Sequence, residues 1–427
     1  MRIAAVLTAA ALTTTACGSS GSGDGGEDGG DVNLTMTWWG NDDRAQRYNE
    51  AIEAYEAENP GVSVTTSFVD YPNYWPARAT EAAGRSLPDV MQMDVSYLRQ
   101  FASNGQLLDF AEVEGDGVDL SGLPDPLIPS GQVEGAQYGI PVATNAFTLF
   151  TDAAGLAQVG VELPENPTWE EYHDFLREVA TAGGTTEDGQ PVYGAGDYTG
   201  VFWMFIHWLN QQGIEAFTED GELGFTQDDL ETWLSSVDDL RAEGLLIPPA
   251  RINQLSPLSP FDAGETTSEM TWDNFAAGYA TNNPDVELEL QPIPSDDPEN
   301  PGLFLKPSML FSIGANTDHP EEAAALIDYL VNDPEVGDVF GTSQGLRASS
   351  FQRDAMTMEG LDAEVAAYEE SIEPLLVDSP PPPVEGFGTI EARLLEITEN
   401  INYGTVSVED AAAQWYSEAE QTLADNQ

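Results

Sequence analysis

The 427-residue chain contains residues able to do chemistry, but their spacing removes most catalytic readings. Gly341-Thr342-Ser343-Gln344-Gly345 has the Gly-x-Ser-x-Gly spacing of a nucleophile elbow. An elbow needs a strand before the serine and a histidine later in the chain. Here the preceding segment reads as helical, and the last histidine, His319, comes earlier. The one lysine, Lys306, is followed by Pro307, so a phosphate loop ending in Gly-Lys-Ser/Thr is absent. His173, His207 and His319 lie far apart and Cys17 is the only cysteine, so no metal site and no cofactor is expected. A glycosidase carboxylate pair stays open, because 75 acidic residues always supply some plausible pair. What remains is recognition chemistry: rings beside amides and carboxylates, at Trp39 with Asn41, Asp42 and Asp43, at Tyr71, Tyr74 and Trp75 beside Asp70, and at Trp272 with Asp273 and Asn274. Flat apolar faces next to hydrogen-bonding groups suit sugars, and rings with carboxylates suit polyamines as well.

These groups sit where strands are expected to end. Val32 to Trp38 alternates apolar and polar residues as a strand does, and Gly40 to Asp43 supply a turn. Tyr48, Ile52 and Tyr55 make a helical stripe stopped by Asn59-Pro60-Gly61. Val62 to Phe68 is strand-like, Ala77 to Ala83 helical, and Pro88 to Met93 a short buried strand. Strands alternating with helices predict βαβ units, hence an α/β fold with a mostly parallel sheet. Ligands of such sheets lie beyond the carboxyl ends of the strands, which puts Trp39 to Asp43, Asp70 to Tyr74 and Asp94 to Tyr97 on one rim. Further on, Trp169, Tyr172, Leu176 and Val179 predict a helix that Thr168 caps, and Pro320 to Val331 predicts another. Phe202 to Leu209 is strongly apolar and aromatic, and Ser379 to Pro383 must run extended.

Length and charge bound the rest. A chain of 427 residues exceeds one compact core, so two domains are expected. Asp and Glu number 75 against 13 Lys plus Arg, a formal net charge of -62. Such a surface repels phosphate backbones and anionic headgroups, which excludes nucleic acid and basic-patch membrane binding. The acids are spread along the whole chain, as in a protein adapted to high salt, and they say little about the ligand. Residues 1–16 read as a signal peptide, too short to span a bilayer. Cys17, after Thr15-Ala16 and before Gly18, resembles a bacterial lipobox cysteine; an ordinary secretion signal with a chance cysteine is the alternative. Residues 17–31 then form a lipidated cysteine and a Gly/Ser/Asp tether.

Seven stretches in order resemble the family 1 extracellular solute-binding proteins of ABC importers, the carbohydrate-binding class like maltose-binding protein. They are residues 37–40 (Thr-Trp-Trp-Gly), 58–64 (Glu-Asn-Pro-Gly-Val-Ser-Val), 84–90 (Gly-Arg-Ser-Leu-Pro-Asp-Val) and 138–141 (Tyr-Gly-Ile-Pro), followed by 167–171 (Pro-Thr-Trp-Glu-Glu), 269–272 (Glu-Met-Thr-Trp) and 319–324 (His-Pro-Glu-Glu-Ala-Ala). Phe150-Thr151 departs from the Tyr-Asn that the family often carries there. The resemblance implies a two-lobe, type II periplasmic-binding-protein-like fold with three crossings, near 143–146, 309–312 and 374–383. The expected lobes are residues 32–143 with 313–373, and 147–310 with 380–427.

The resemblance also implies a non-enzymatic function: capture of a mono- or oligosaccharide between the lobes and its delivery to the permease subunits. The ligand residues it suggests are Trp39, Asn41, Asp43, Tyr71 and Asp94 on the first rim, and Thr144 and Asn145 at the first crossing. On the second lobe they are Phe202, Trp203, Trp272, Asp273 and Phe387, with Lys306 a weaker candidate. Bland alternatives stand beside several of these: an Asx turn for Asn41 to Asp43, a helix cap for Asp94, and core packing for Trp39, Trp272 and the Phe202 helix. The protein is expected to be a monomer, extracytoplasmic and held to the membrane only through Cys17. A polyamine or other non-sugar solute in the same fold, and a secreted glycoside-active enzyme, are the rival readings.

Overall fold

A computed structural model describes residues 31–425 except Asp116, Glu219 and Asp220. The signal peptide and Cys17 lie outside the described residues. Strand β1 (Val32–Trp39) runs parallel to β2 (Val62–Val69) in the register Val32 to Val62 through Trp39 to Val69, and parallel to β3 (Val90–Met93) on its other side. Between them lie α1 (Asp42–Glu58), α2 (Tyr71–Gly84) and, after β3, α3 (Val95–Ser103). The alternation predicted for this part is the one observed. Helix α1 begins where Asn41 Oδ1 accepts the Arg44 amide at 3.0 Å, and buries Tyr48, Ile52 and Tyr55 as its apolar stripe.

The small hairpin β4 (Gln132–Val133) and β5 (Ala136–Gln137) precedes the longest strand, β6 (Ile140–Asp152). Its first half pairs antiparallel with β9 (Leu305–Ile313), and its second half pairs with β7 (Ser268–Trp272) and β8 (Leu288–Gln291). Strand β9 continues into the first lobe by pairing antiparallel with β3, and β10 (Leu346–Arg347) closes the edge beyond β6, giving the order β10-β6-β9-β3-β1-β2. Two of the expected crossings are therefore strands, β6 and β9, shared by both lobes. Twelve of the thirteen residues of β6 are buried, which explains its continuous apolar and small-residue character.

The second lobe is built on β7, β8 and a helical layer. Phe202 and Phe205 of the helix Phe202–Gln211 pack with Trp233 and with Trp415 of the C-terminal helix Val408–Asp425. The predicted helices at Trp169–Ala182 and Pro320–Asn332 are present; the former starts at a capping box made by Thr168 and Glu171.

Three features differ from expectation. The sheet is not mostly parallel: only β1 with β2 and β1 with β3 pair parallel, while β3–β9, β6–β9, β6–β7, β6–β8 and β6–β10 are antiparallel, because β6 and β9 pass between the lobes in opposite directions. The segment Tyr71 to Trp75, whose rings suggest a rim loop ahead of the helix expected at Ala77 to Ala83, is the start of α2, because Pro72 stands in the first turn where no amide hydrogen bond is required. The helix Leu361–Ile372 was expected in the first lobe. It instead joins the second, placing Leu361 and Val365 against the cluster of Phe150, Phe261, Ala276 and Tyr279. The Pro run lies along the boundary between the lobes: the Ser379 amide donates to the Pro126 carbonyl, the Ser379 hydroxyl to the Leu305 carbonyl, and Arg99 of α3 to the Pro382 carbonyl.

Candidate ligand-binding site

At the middle of the lobe boundary, Asn145 of β6 stands directly opposite Lys306 of β9 in the strand ladder. Two groups of side chains flank this pair.

On one side lie two indoles. Trp272 ends β7 and meets Trp203 edge-on at 5.6 Å; Phe147 packs edge-on behind Trp272 at 5.0 Å. The ring of His207 stacks on Phe304 at 4.4 Å and accompanies Trp272 at 6.0 Å, so the platform rests on a rigid aromatic layer. Burial lowers the His207 imidazole to about 4, and this neutral ring hydrogen-bonds through Nδ1 to the Gly302 carbonyl at 3.0 Å. Phe387 approaches Trp203 at 5.0 Å. One turn on from Phe387, at i+4 of the helix Phe387–Asn402, Glu391 lies beside Trp203, which together with Lys306 counters the upward pull of burial on its carboxyl. Lys306 Nζ lies 5.0 Å from each of the two indole rings. Burial pulls its ammonium below the usual lysine value, while Asp94 of the first lobe and Glu391 of the second act in the opposite direction.

Asp94 leads from this group into the first rim. It caps α3 by accepting the Ser96 amide at 2.9 Å and also accepts the Tyr71 hydroxyl at 3.2 Å. Burial first, then the neighbouring Asp94 carboxylate, push the Tyr71 phenol up to about 12. Tyr71 remains 41% exposed and meets Trp39 edge-on at 5.5 Å.

On the other side a cavity of about 370 Å³ is lined by Asn145, Ser308, Asn274, Arg44 and the loop Thr342–Gly345. Asn145 Oδ1 and Ser308 Oγ are buried there without a hydrogen-bond partner in the protein. Buried polar atoms without a partner are uncommon, and these two are available to a polar group that enters the cavity. Gly345 makes the approach feasible: its φ is +101°, and a Cβ there would come 2.8 Å from the Thr144 carbonyl oxygen and 3.0 Å from Asn145 Oδ1.

The structure thus brings together Trp203, Trp272, Asp94 and Phe387, and joins Tyr71 and Trp39 to them through Asp94. It places Asn145 between the two groups. Other sequence candidates have structural duties. Asn41 is an exposed helix cap, and Asp43 forms a surface ion pair with Arg47 at 3.0 Å. Phe202 is 1% exposed and packs into Phe217, Phe387 and Trp415. Trp39 is mostly enclosed by Tyr71, Tyr74 and Trp75. The Thr144 hydroxyl is taken up by the Glu369 carboxylate at 2.7 Å, and Asp273 accepts the Ala146 amide at 3.0 Å from within the core. Ser343 donates to the Phe340 carbonyl at 2.7 Å directly after the helix Pro334–Phe340, which is not the geometry of an elbow.

Glu391 and Glu369 were missed in the sequence, where nothing distinguishes them among 75 acids. Glu391 stands i+4 from Phe387, a relation that says something only once the helix Phe387–Asn402 is known. Among the described residues no cluster of His, Cys, Asp or Glu is placed to hold a metal ion, and no helix is long and apolar enough to cross a membrane.

Comparison with known proteins gives three findings. The family described as bacterial extracellular solute-binding protein matches residues 39–336. A curated relative from Brucella abortus (strain 2308) is 24% identical over 202 residues, 47% of either protein, so the chain spans about half the length of the curated relatives it matches. Among solved structures, an extracellular solute-binding protein family 1 from Alicyclobacillus acidocaldarius has a TM-score of 0.77 at 27% identity, covering 92% of this chain and 99% of that one. A periplasmic oligogalacturonide binding protein from Yersinia enterocolitica has a TM-score of 0.79 at 22% identity, covering 92% of this chain and 100% of the other, a likeness of fold alone.

Proposed function

The chain belongs to the bacterial extracellular solute-binding proteins, and on that premise we propose that it captures a carbohydrate between its lobes and presents it to the permease of an ABC importer. The observation that carries this reading is the pairing of two indoles, the half-buried Trp203 and the buried Trp272, with Asn145, Asp94 and Glu391 around one point of the lobe boundary. A pyranose has apolar C–H faces for the indoles and hydroxyl edges for amide and carboxylate groups. The oligogalacturonide binding of the Yersinia protein adds support from a related fold.

The mechanism is capture without chemistry. Asp94 and Tyr71 belong to the first lobe; Trp203, Trp272 and Glu391 belong to the second. A solute touching both sets binds the closed arrangement better than the open one, and only such differential affinity shifts the equilibrium. The closed form is then the one offered to the permease. The lipobox-like sequence at Cys17 supports attachment of the mature protein to the membrane by a lipid, and Cys17→Ser would release it into the medium.

The test is a thermal-shift screen of the mature domain in high salt against mono-, di- and oligosaccharides. Ligand at about 100 times Kd adds roughly 2.7 kcal/mol of native-state stability. A sugar-dependent rise that Trp272→Ala abolishes supports the site; a rise unaffected by both Trp272→Ala and Trp203→Ala removes it from this place.

A further inference from the structure

Lys306 is the one lysine of the chain, and it sits at the centre of the site rather than on the surface. Its surroundings are those of a receptor for organic cations. Two indole faces lie 5.0 Å from its Nζ, inside the roughly 6 Å range over which a ring quadrupole attracts an ammonium. Asp94 and Glu391 supply negative charge from opposite lobes. Among the described residues, no other cation is recorded against either indole. Two indoles and two carboxylates without a cation would form a cage with uncompensated charge in a partly desolvated place, and such a cage recruits a cationic guest.

We propose that Lys306 is the permanent occupant of this cage, so that the cleft is closed to polyamines and quaternary ammonium solutes and left for an uncharged one. The inference rests on the placement of the site given above. It makes Lys306 a specificity-determining residue: its ammonium competes with any soluble cation at an effective concentration set by its own tether. The half-buried Trp203 keeps a face for stacking, and the two acids, one of whose charges the ammonium offsets, act as hydrogen-bond acceptors for hydroxyl groups.

The experiment compares the mature domain with its Lys306→Ala variant, titrated with choline and spermidine in high salt and followed by calorimetry and thermal shift. The wild type should not respond to either cation. The variant, whose cage is vacated, should bind at least one of them about tenfold or more tightly than the wild type does, a difference of about 1.4 kcal/mol or more. Equal cation binding by both proteins overturns the proposal, and so does silence from a variant that melts cooperatively. A second measurement needs no variant: reductive methylation with ¹³C-formaldehyde labels only Lys306 and any free amino terminus. A methyl resonance displaced upfield from its unfolded position by the ring currents supports the cage, and an undisplaced one overturns it. Screening the same wild type with sugars separates the two readings. Cation binding gained by Lys306→Ala with no sugar response supports the cage and sinks the carbohydrate reading, while a sugar response with a folded, silent variant does the reverse.

Discussion

The buried carboxyl groups of Asp273 and Glu369 stand close enough to act on each other, and Glu369 Oε1 has no donor in the protein. Asp273 follows β7 and Glu369 belongs to the helix Leu361–Ile372, and each is anchored to the first crossing, Asp273 by the Ala146 amide and Glu369 by the Thr144 hydroxyl. Two carboxylates in contact away from water cannot both ionise, so they share a proton. Burial, then the neighbouring Glu369, hold Asp273 well above the ordinary carboxylate range, and burial raises Glu369 too.

This pair predicts a pH dependence of definite sign. Its folded affinity for a proton exceeds the unfolded one, so its stabilisation is complete below the unfolded value near 4 and is lost as pH rises through the folded value. Asp273→Asn keeps a donor for Glu369 without a proton to lose. Its melting temperature should fall less than that of the wild type between pH 5 and 9; parallel curves would show that the pair is not protonated.

His207 predicts the opposite slope. Its imidazole falls to about 4 through burial, against an unfolded value of about 6.5. Stability is full above pH 6.5 and declines as pH falls toward 4, by roughly 3 kcal/mol in total. His207→Phe forfeits the Gly302 hydrogen bond yet should remove this decline, so wild type and variant converge in stability as pH falls. Melting curves between pH 7 and 4.5 check it, and an unchanged difference across that range would count against a buried neutral ring.

Phe202 and Trp203 are neighbours with different duties. Phe202→Ala empties a core site and should destabilise by about 3–5 kcal/mol. Trp203→Ala, at a half-buried ring facing Lys306 and Trp272, should cost less stability and remove the response to sugar. Denaturant unfolding with and without ligand distinguishes them; the reverse pattern would exchange their roles.

A net charge of -62 predicts a marked salt requirement. Many arginines are already paired internally, Arg241 with Asp197 and Asp238, Arg251 with Glu265, Arg393 with Glu396 and Glu418. The remaining field is one-signed, and screening shortens from about 10 Å at 0.1 M salt to about 3 Å at 1 M. The melting temperature should rise by several degrees over that range of sodium chloride, and a flat response would show that repulsion among the acids does not limit the fold's stability.

Strands β1 to β3 and four helices were legible because their patterns are clear: Tyr48, Ile52 and Tyr55 announce α1, and Thr168 announces the cap that the structure shows, whereas β4 to β10 were not picked out. The site was legible in part. Indoles could be named, but helical phase decides which ring faces the core, and Phe202 and Trp203 differ only by one step of 100° around their helix. Trp39 reads as exposed only while Tyr71 to Trp75 is taken for a loop; once that stretch is helical, three rings close around it. Glu369 and Glu391 were invisible because a carboxylate's role depends on its burial and partner, neither of which composition encodes.

Strand β6 carries its ladder irregularities between Pro141 and Ala143 and between Ala143 and Thr144, immediately before Asn145. A ribbon under torque flexes where its rungs are already uneven, which puts the fulcrum of any rocking motion beside the residue opposite Lys306. Near a fulcrum displacement is small, while rings farther out along either arm sweep through larger arcs. A solute bound as proposed would therefore meet Asn145, Lys306 and the two indoles beside it at any angle of the arms, and receive Tyr71 only as the arms come together.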